Sequence, residues 1–476
     1  MFPTKLRFFT IMLMMAALIL VGCDGGDGGD NNDDNNNGVG NIDANFGNAG
    51  VLLVEAQGQE IVEPEQDAQN IAAQNRNEQQ RRELLFANRI NDLQRRPNDR
   101  FRAAGDDILE AVDFNAAQNK IAYAGITDTV ITKVMIAVTD VNGVLDVTFG
   151  GDGRVAIDAD AANIGDIVVN GVVMQDDGKV TVVGTRTQAG NQDVLAVQVN
   201  ADGTVDNTFG VNGVAAFANL EGGANQQDQG NSAVLSGGNI VIGRSGTFDG
   251  ATFRAGILII DNTGAVVSNF SSGADNSTCL NATVDGNGKL IGVGARAAGS
   301  QVFRLNADGT ADATFDGVDG IIEVAGSDFV SVVTDAANNV IIAGRDQATT
   351  DTFLTRRLDV GGAIDAAFNG GADLVFEPKV GGDNQFGTDV FLRGTQIVVV
   401  GGGAAGGDVF GFVTILDAAG NIVSTFESEG ILDDDVINED FKEGFVEPAS
   451  NRVVAVGQAV EDGQNTFDGV GIRVID

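Results

Sequence analysis

Short runs of apolar, often β-branched residues recur along the chain, each opened by a polar turn and closed by glycine. Examples are NKIAYAG from Asn119, GKVTVVG from Gly178, GNIVIG from Gly238 and GKLIGVG from Gly288. NNVIIAG from Asn338, TQIVVVG from Thr395 and NRVVAVG from Asn451 continue the series. Valine and isoleucine in runs of this length suit a half-buried pleat, and the Asn-Gly and Asp-Gly pairs supply the positive φ of tight hairpins. The pattern predicts strands throughout.

A second marker lies upstream of each run. The segment VNADGTVDNTFGVNG, Val199 to Gly213, has relatives whose phenylalanine falls at Phe46, Phe149, Phe209, Phe270, Phe315, Phe368 and Phe426. Both markers count seven units, so a repeat architecture is indicated. Each unit reads as four strands with Asp-Gly-type turns, which is a propeller blade. The expected fold is all-β, a seven-bladed β-propeller with four-stranded antiparallel blades over residues 39–476. The recurrent phenylalanine is expected to fill an interblade pocket.

The ends suggest how the ring closes. The first unit starts at Gly40 without the strand that elsewhere precedes its turn, and Phe467 to Asp476 have that strand's pattern. Aligning Gly471–Asp476 with Leu195–Asn200 predicts closure of the first blade by the C-terminal strand, which removes a bare edge.

Composition narrows the chemistry. The chain has no histidine or tryptophan, so Ser-His-Asp and Cys-His catalysis and histidine-ligated zinc are excluded. A net charge of −39 repels nucleic-acid phosphates and makes a nucleic-acid partner a poor fit. Calcium is an alternative ligand for the Asp-rich turns, such as NADGT at Asn200, and for Asp433, Asp434 and Asp435, although hairpin turns demand the same residues. No catalytic residue and no other cofactor is assigned. Cys279, in a strand-like run, is expected to be a buried small hydrophobe.

Residues 1–22 begin with Lys5 and Arg7, continue through an apolar stretch and end at Gly22 before Cys23. That is the order of a secretory leader. Residues 23–38, rich in Gly, Asp and Asn, read as a flexible tether. Residues 59–104 interrupt the first unit. Leu85, Phe86, Arg89, Ile90 and Leu93 fall at helical spacing and Pro97 is a stop, so a helical insertion in the first blade is expected. Its Arg81, Arg82, Arg89, Arg95 and Arg96 are candidate partner contacts, set against the alternative of a helix pairing with the acidic rim of its own blade.

Two resemblances follow. Leu20, Val21, Gly22 and Cys23 resemble a bacterial lipobox, which implies cleavage before Cys23 and covalent lipid on its sulfur. The units NGVLDVTFGGDG from Asn142, DGTVDNTFGVNG from Asp202 and DGTADATFDG from Asp308 resemble the delta-60 repeats of exported bacterial proteins, which imply a propeller and carry no catalytic residues. The chain is thus expected to be a monomer in the cell envelope, anchored to a lipid bilayer and binding an envelope protein or glycan without catalysis. The alternatives are a carboxylate-based glycan lyase or hydrolase and a calcium-stabilised surface adhesin.

Overall fold

The computed structural model describes residues 41–42, 51–54, 106–128, 132–158, 165–223, 226–249, 251–296, 299–347, 352–379, 383–405, 408–427, 436–447, 451–461 and 468–475. They form an all-β propeller of antiparallel strands. Sheet one comprises Asp106–Asn115, Lys120–Asp128, Thr132–Asp140 and Arg154–Asp158; sheet two comprises Asp166–Met174, Val180–Gln188, Asn191–Val199 and Val214–Phe217. Sheet three runs through Asp228–Ser236, Asn239–Thr247, Phe253–Ile260 and Val266–Asp275. Sheet four holds Asn281–Val284, Leu290–Arg296, Gly299–Leu305 and Ile321–Ala325, and sheet five Ser327–Thr334, Val340–Asp346, Thr352–Leu358 and Leu374–Phe376.

The sixth sheet has nine strands. Asp383–Arg393, Gln396–Ala405, Asp408–Leu416 and Ile422–Glu427 make one antiparallel run, and Val436–Glu447, Arg452–Glu461 and Asp468–Ile475 another. A parallel pairing of Val409 with Asn438 joins the two. The expectation of seven blades and a helical insertion is therefore corrected to six sheets, with no helix among the described residues. The reason is that periodicity counts units along the chain, whereas backbone pairing decides which units share a sheet. Residues 59–104, where the helix was expected, lie outside the described residues, as do 1–22 and 23–38.

The chain ends meet in this sixth sheet. Asp468–Ile475 pairs on one side with Arg452–Glu461 and on the other with Asn41–Ile42 and Val51–Val54. Ile472 lies opposite Val51 as Val197 lies opposite Val214. The alignment of Gly471 with Leu195 made Ile472 the counterpart of Ala196, so the register is corrected by one residue. Because side chains alternate faces, that single step changes which of them point to the same side.

The core is a circle of apolar layers between successive sheets. Val173, Val183 and Ala196 of sheet two pack with Ile240, Ile242 and Leu258 of sheet three. Ile291, Val293 and Val302 pack likewise with Val332, Val340 and Ile342 across sheets four and five. The circle is completed where Leu109, Ile121 and Tyr123 of sheet one meet Val454 and Val456 of the sixth. The marker rings lie in this core: Phe149, Phe209, Phe315 and Phe368 are at most 1% exposed. Phe270 is only half-buried, and Phe46 lies outside the described side chains.

Candidate functional site

The first strands of neighbouring sheets contact one another in sequence around the molecule, and Val436–Glu447 returns to Asp106–Asn115. On most of them one residue drops out of the ladder as a bulge: Glu110, Asn170, Asn231, Val330, Thr388 and Lys442. A bulge re-aims a side chain, and here several reach the next sheet or, in the sixth sheet, its other run. Asn170 and Asn231 donate from Nδ2 to the carbonyls of Gly230 and Cys279, both at 2.7 Å, and Thr388 Oγ1 donates to the Phe441 carbonyl at 2.7 Å.

After four of these bulges the next residue, Ser232, Ser331, Asp389 or Glu443, is the acceptor in a second set of bonds. Ser232 Oγ accepts from the Ala282 amide at 3.1 Å and Ser331 Oγ from the Val390 amide at 3.2 Å. In the sixth sheet carboxylates take over this position. Asp389 Oδ2 accepts from the Gly444 amide at 3.1 Å, and Glu443 Oε2 from the Val112 amide of sheet one at 2.7 Å, which bridges the seam of the ring. Two residues past Ala111, Asp113 Oδ2 accepts from the Met174 amide at 2.7 Å. Where Gly171 holds the acceptor position the next backbone closes in: a Cβ there would stand 2.8 Å from the Ala233 nitrogen.

These carboxyls sit where charge is disfavoured. Burial pushes Asp113 up to about 6 and raises Asp389. Glu443 is raised well above the ordinary carboxyl range, by burial first and then by the negative charges of Asp389, Asp113 and Glu110. Carboxyls tuned upward and clustered are the usual material of general acid–base chemistry. Here each also serves as acceptor for a backbone amide of its neighbour, Asp389 in addition taking a 2.6 Å bond from Ser331 Oγ.

A second buried charge lies in sheet three. Arg244, fully buried, passes over Gly256, where a Cβ would stand 2.6 Å from its Cζ. It donates to Asn269 Oδ1 at 2.7 Å and the Phe270 carbonyl at 3.0 Å, and pairs with Glu221 at 2.7 Å. Asp228 beside it is pushed up to about 6 by burial. The arrangement ties the second strand of the sheet to the fourth.

The residues singled out from sequence fall elsewhere. Cys23, Arg81, Arg82, Arg89, Arg95 and Arg96 lie outside the described residues, as do Asp433, Asp434 and Asp435. Cys279 is buried, and burial pushes its thiol up to about 12, which makes it inert at neutral pH. The turn aspartates are occupied within their own turns. Asp202 Oδ1 accepts from Thr204 Oγ1 at 2.6 Å and from its amide at 3.0 Å, and Asp308 repeats this with Thr310. Those bonds hold both carboxyls below their usual range. Among the described residues no three Cys, Asp or Glu are grouped to hold a metal ion. The axial carboxyls escaped sequence reading because each sits in a different repeat. Superposing the units would have shown acids at Asp389 and Glu443 where Ser232 and Ser331 stand in others.

Comparison with known proteins gives the fold a wider setting. The model of a family described as a domain of unknown function (DUF5122) beta-propeller matches residues 175–209 and 286–315. Each stretch runs from the first hairpin of a sheet to its marker phenylalanine, so the chain is similar to a β-propeller repeat family over the same part of two units. No curated protein matches the chain. Among solved structures, Sqt1 of Chaetomium thermophilum, bound to the N-terminus of the ribosomal protein L10, is 12% identical over 78% of this chain and 97% of its own, with a TM-score of 0.43. The periplasmic gluconolactonase of Pseudomonas aeruginosa is 14% identical over 67% of this chain and 84% of its own, at 0.39. A Hadza microbial sialidase is 12% identical over 67% and 65%, at 0.40.

Proposed function

We propose that this chain is a non-enzymatic binding or scaffold module, a propeller of delta-60-type repeats exported to the cell envelope and held at a bilayer by lipid on Cys23. The observation that carries the reading is the use made of the axial acids. Asp113 and Glu443 each accept a backbone amide from the adjacent sheet, and Asp389 accepts one from the other run of its own sheet, which commits them to holding the ring. The lipobox residues Leu20 to Cys23 support the anchor, and the tether of residues 23–38 would present the ring to an envelope protein or glycan. The test is crosslinking of the native chain in its own membrane, alongside labelling with an alkyne fatty acid. A partner captured equally by wild type and by D113N supports a scaffold. Label retained by C23S, or no crosslinked partner at any crosslinker length, counts against it.

A second reading has one observation in its favour, the proximity of Asp389, Asp113 and Glu110 to Glu443, whose carboxyl is raised along with those of Asp389 and Asp113. It makes the chain a carboxylate glycan lyase or hydrolase, with one acid protonated and another ionised. Turnover of a polysaccharide panel that is abolished by D113N would establish it over the first.

A further inference from the structure

Two units depart from the repeat in the same way. Elsewhere the residue three before the marker phenylalanine is an aspartate, Asp43, Asp146, Asp206, Asp312 or Asp365, and the carboxylates of Asp146, Asp206 and Asp312 cap the threonine two residues on and fix a loop. Ahead of Phe270 and Phe426 that residue is Val267 or Val423, in the segments VVSNF and IVSTF. Valine has nothing with which to cap and favours extended backbone, so the loop becomes an edge strand directly after the turn. These are Val266–Asp275 and Ile422–Glu427, of 10 and 6 residues.

The correspondence extends to detail. Both strands leave the ladder for one residue at the same place, Val267 and Val423. Two successive aliphatic side chains are thereby set toward solvent on each edge, Val266 and Val267 at 50% and 52% exposure and Ile422 and Val423 at 47% each. No described strand pairs with their outer sides. The other outer strands are guarded as edges usually are. Val214–Phe217 and Leu374–Phe376 are short, Arg154–Asp158 carries charge, and Ile321–Ala325 carries Glu323 paired with Arg296 at 2.8 Å.

The two edges are uncharged along residues 266–274 and 422–426, and acid flanks these runs. Asp261 precedes the first and Asp417 the second, each in the turn that opens the strand and each held below the usual carboxyl range by its turn, by the Thr263 hydroxyl and by Asn421 respectively. Asp275, paired with Arg254 at 2.7 Å, and Glu427 close the two strands. We infer that Val266–Asp275 and Ile422–Glu427 are docking edges for an extended strand of a partner protein, aliphatic at its centre and flanked by lysine or arginine, taken up by β-augmentation. Main-chain pairing supplies the affinity, the aliphatic pair the register, and the ionised Asp261 and Asp417 that open the strands the preference for basic flanks. The inference rests on the reading as a binding module and names its partner's chemistry.

The experiment is a titration of the full chain into a fluorescein-labelled peptide of sequence KVTVSVK, read by anisotropy, with EVTVSVE as control. Saturable binding of the basic peptide, weakened roughly tenfold by added salt and by the double substitution V267K/V423K, is the expected result. Matched thermal unfolding shows that the variant folds, since both positions face solvent. No saturable binding, equal affinity of the double variant, or equal binding of the acidic peptide overturns the inference. So does a dimer in sedimentation that the double variant dissociates, because the occupant is then a second copy. A chain that crosslinks a partner in its membrane yet ignores the peptide remains a binding module without these edges, whereas one that does neither loses both readings.

Discussion

At the scale of single residues, the repeat is locked by contacts between a marker ring and the turn of the following unit. Phe209 lies against Gly264, Phe270 against Gly309 and Phe368 against Gly420, and all three glycines have positive φ. At Gly309, φ is +81° and a Cβ would stand 1.9 Å from Phe270 Cδ1, so G309A must both strain the backbone and displace the ring. A loss of about 2–4 kcal/mol is expected from the two costs together, measured by the denaturant midpoint. G317A is the control: φ is +85° but nothing lies within 4 Å, and only the backbone cost of about 1–2 kcal/mol applies. Equal losses in the two variants would remove the ring contact from the explanation. The burial of Phe209 and Phe368 was legible in the sequence, because a phenylalanine that recurs in a polar loop has little reason to recur except packing, whereas Phe270 is only half-buried.

At the scale of elements, an ion pair inside three of the units links the second strand to the loop. Lys120, Lys179 and Lys289 reach Asp146, Asp206 and Asp312 at 2.6, 2.6 and 2.5 Å. Where the lysine position is Asn239 or Gln396, the aspartate position is Val267 or Val423, so lysine and acid are absent together. Where it is Asn339, Arg357 holds Asp365 instead at 2.7 Å. Lys179 is 26% exposed and Asp206 4%, which places the pair between a surface bridge and a buried one. A double-mutant cycle of K179M and D206N should give a coupling of about 1–2 kcal/mol, above the exposed-pair range. A coupling near zero would make the pair incidental to stability. Strand order within a unit was readable from apolar runs and turn residues. The pairing of Val409 with Asn438 was not, since nothing in local pattern marks which two units will touch.

At the scale of the whole molecule, two sets of carboxyls oppose each other in pH. Asp113, Asp389 and Glu443 titrate above their unfolded values, so they favour the fold most when protonated, and their contribution declines as pH rises from about 4 through the folded values. Asp202, Asp261, Asp308 and Asp417 titrate below theirs, and their contribution is lost as pH falls below about 4. Thermal stability should therefore peak in mildly acidic solution and fall toward neutrality. E443Q, which cannot ionise at the seam, should flatten the alkaline side in a melting series; an unchanged slope would mean that the seam carboxyl does not carry it. The axial acids owe their proximity to ring closure, which joins Val112 to Glu443 across 331 positions of sequence, and no window along the chain could reveal it.

The strand that joins the two ends also sets an order of events. Among the described residues Asp468–Ile475 links Arg452–Glu461 to the N-terminal strands Asn41–Ile42 and Val51–Val54, so this exchange of strands cannot form before that segment has been synthesised. Contacts that span nearly the full sequence form slowly, because loop closure must precede any gain from them. A nascent chain of this design cannot lock early. Its two ends stay unjoined, and therefore threadable, until Asp468–Ile475 has been made.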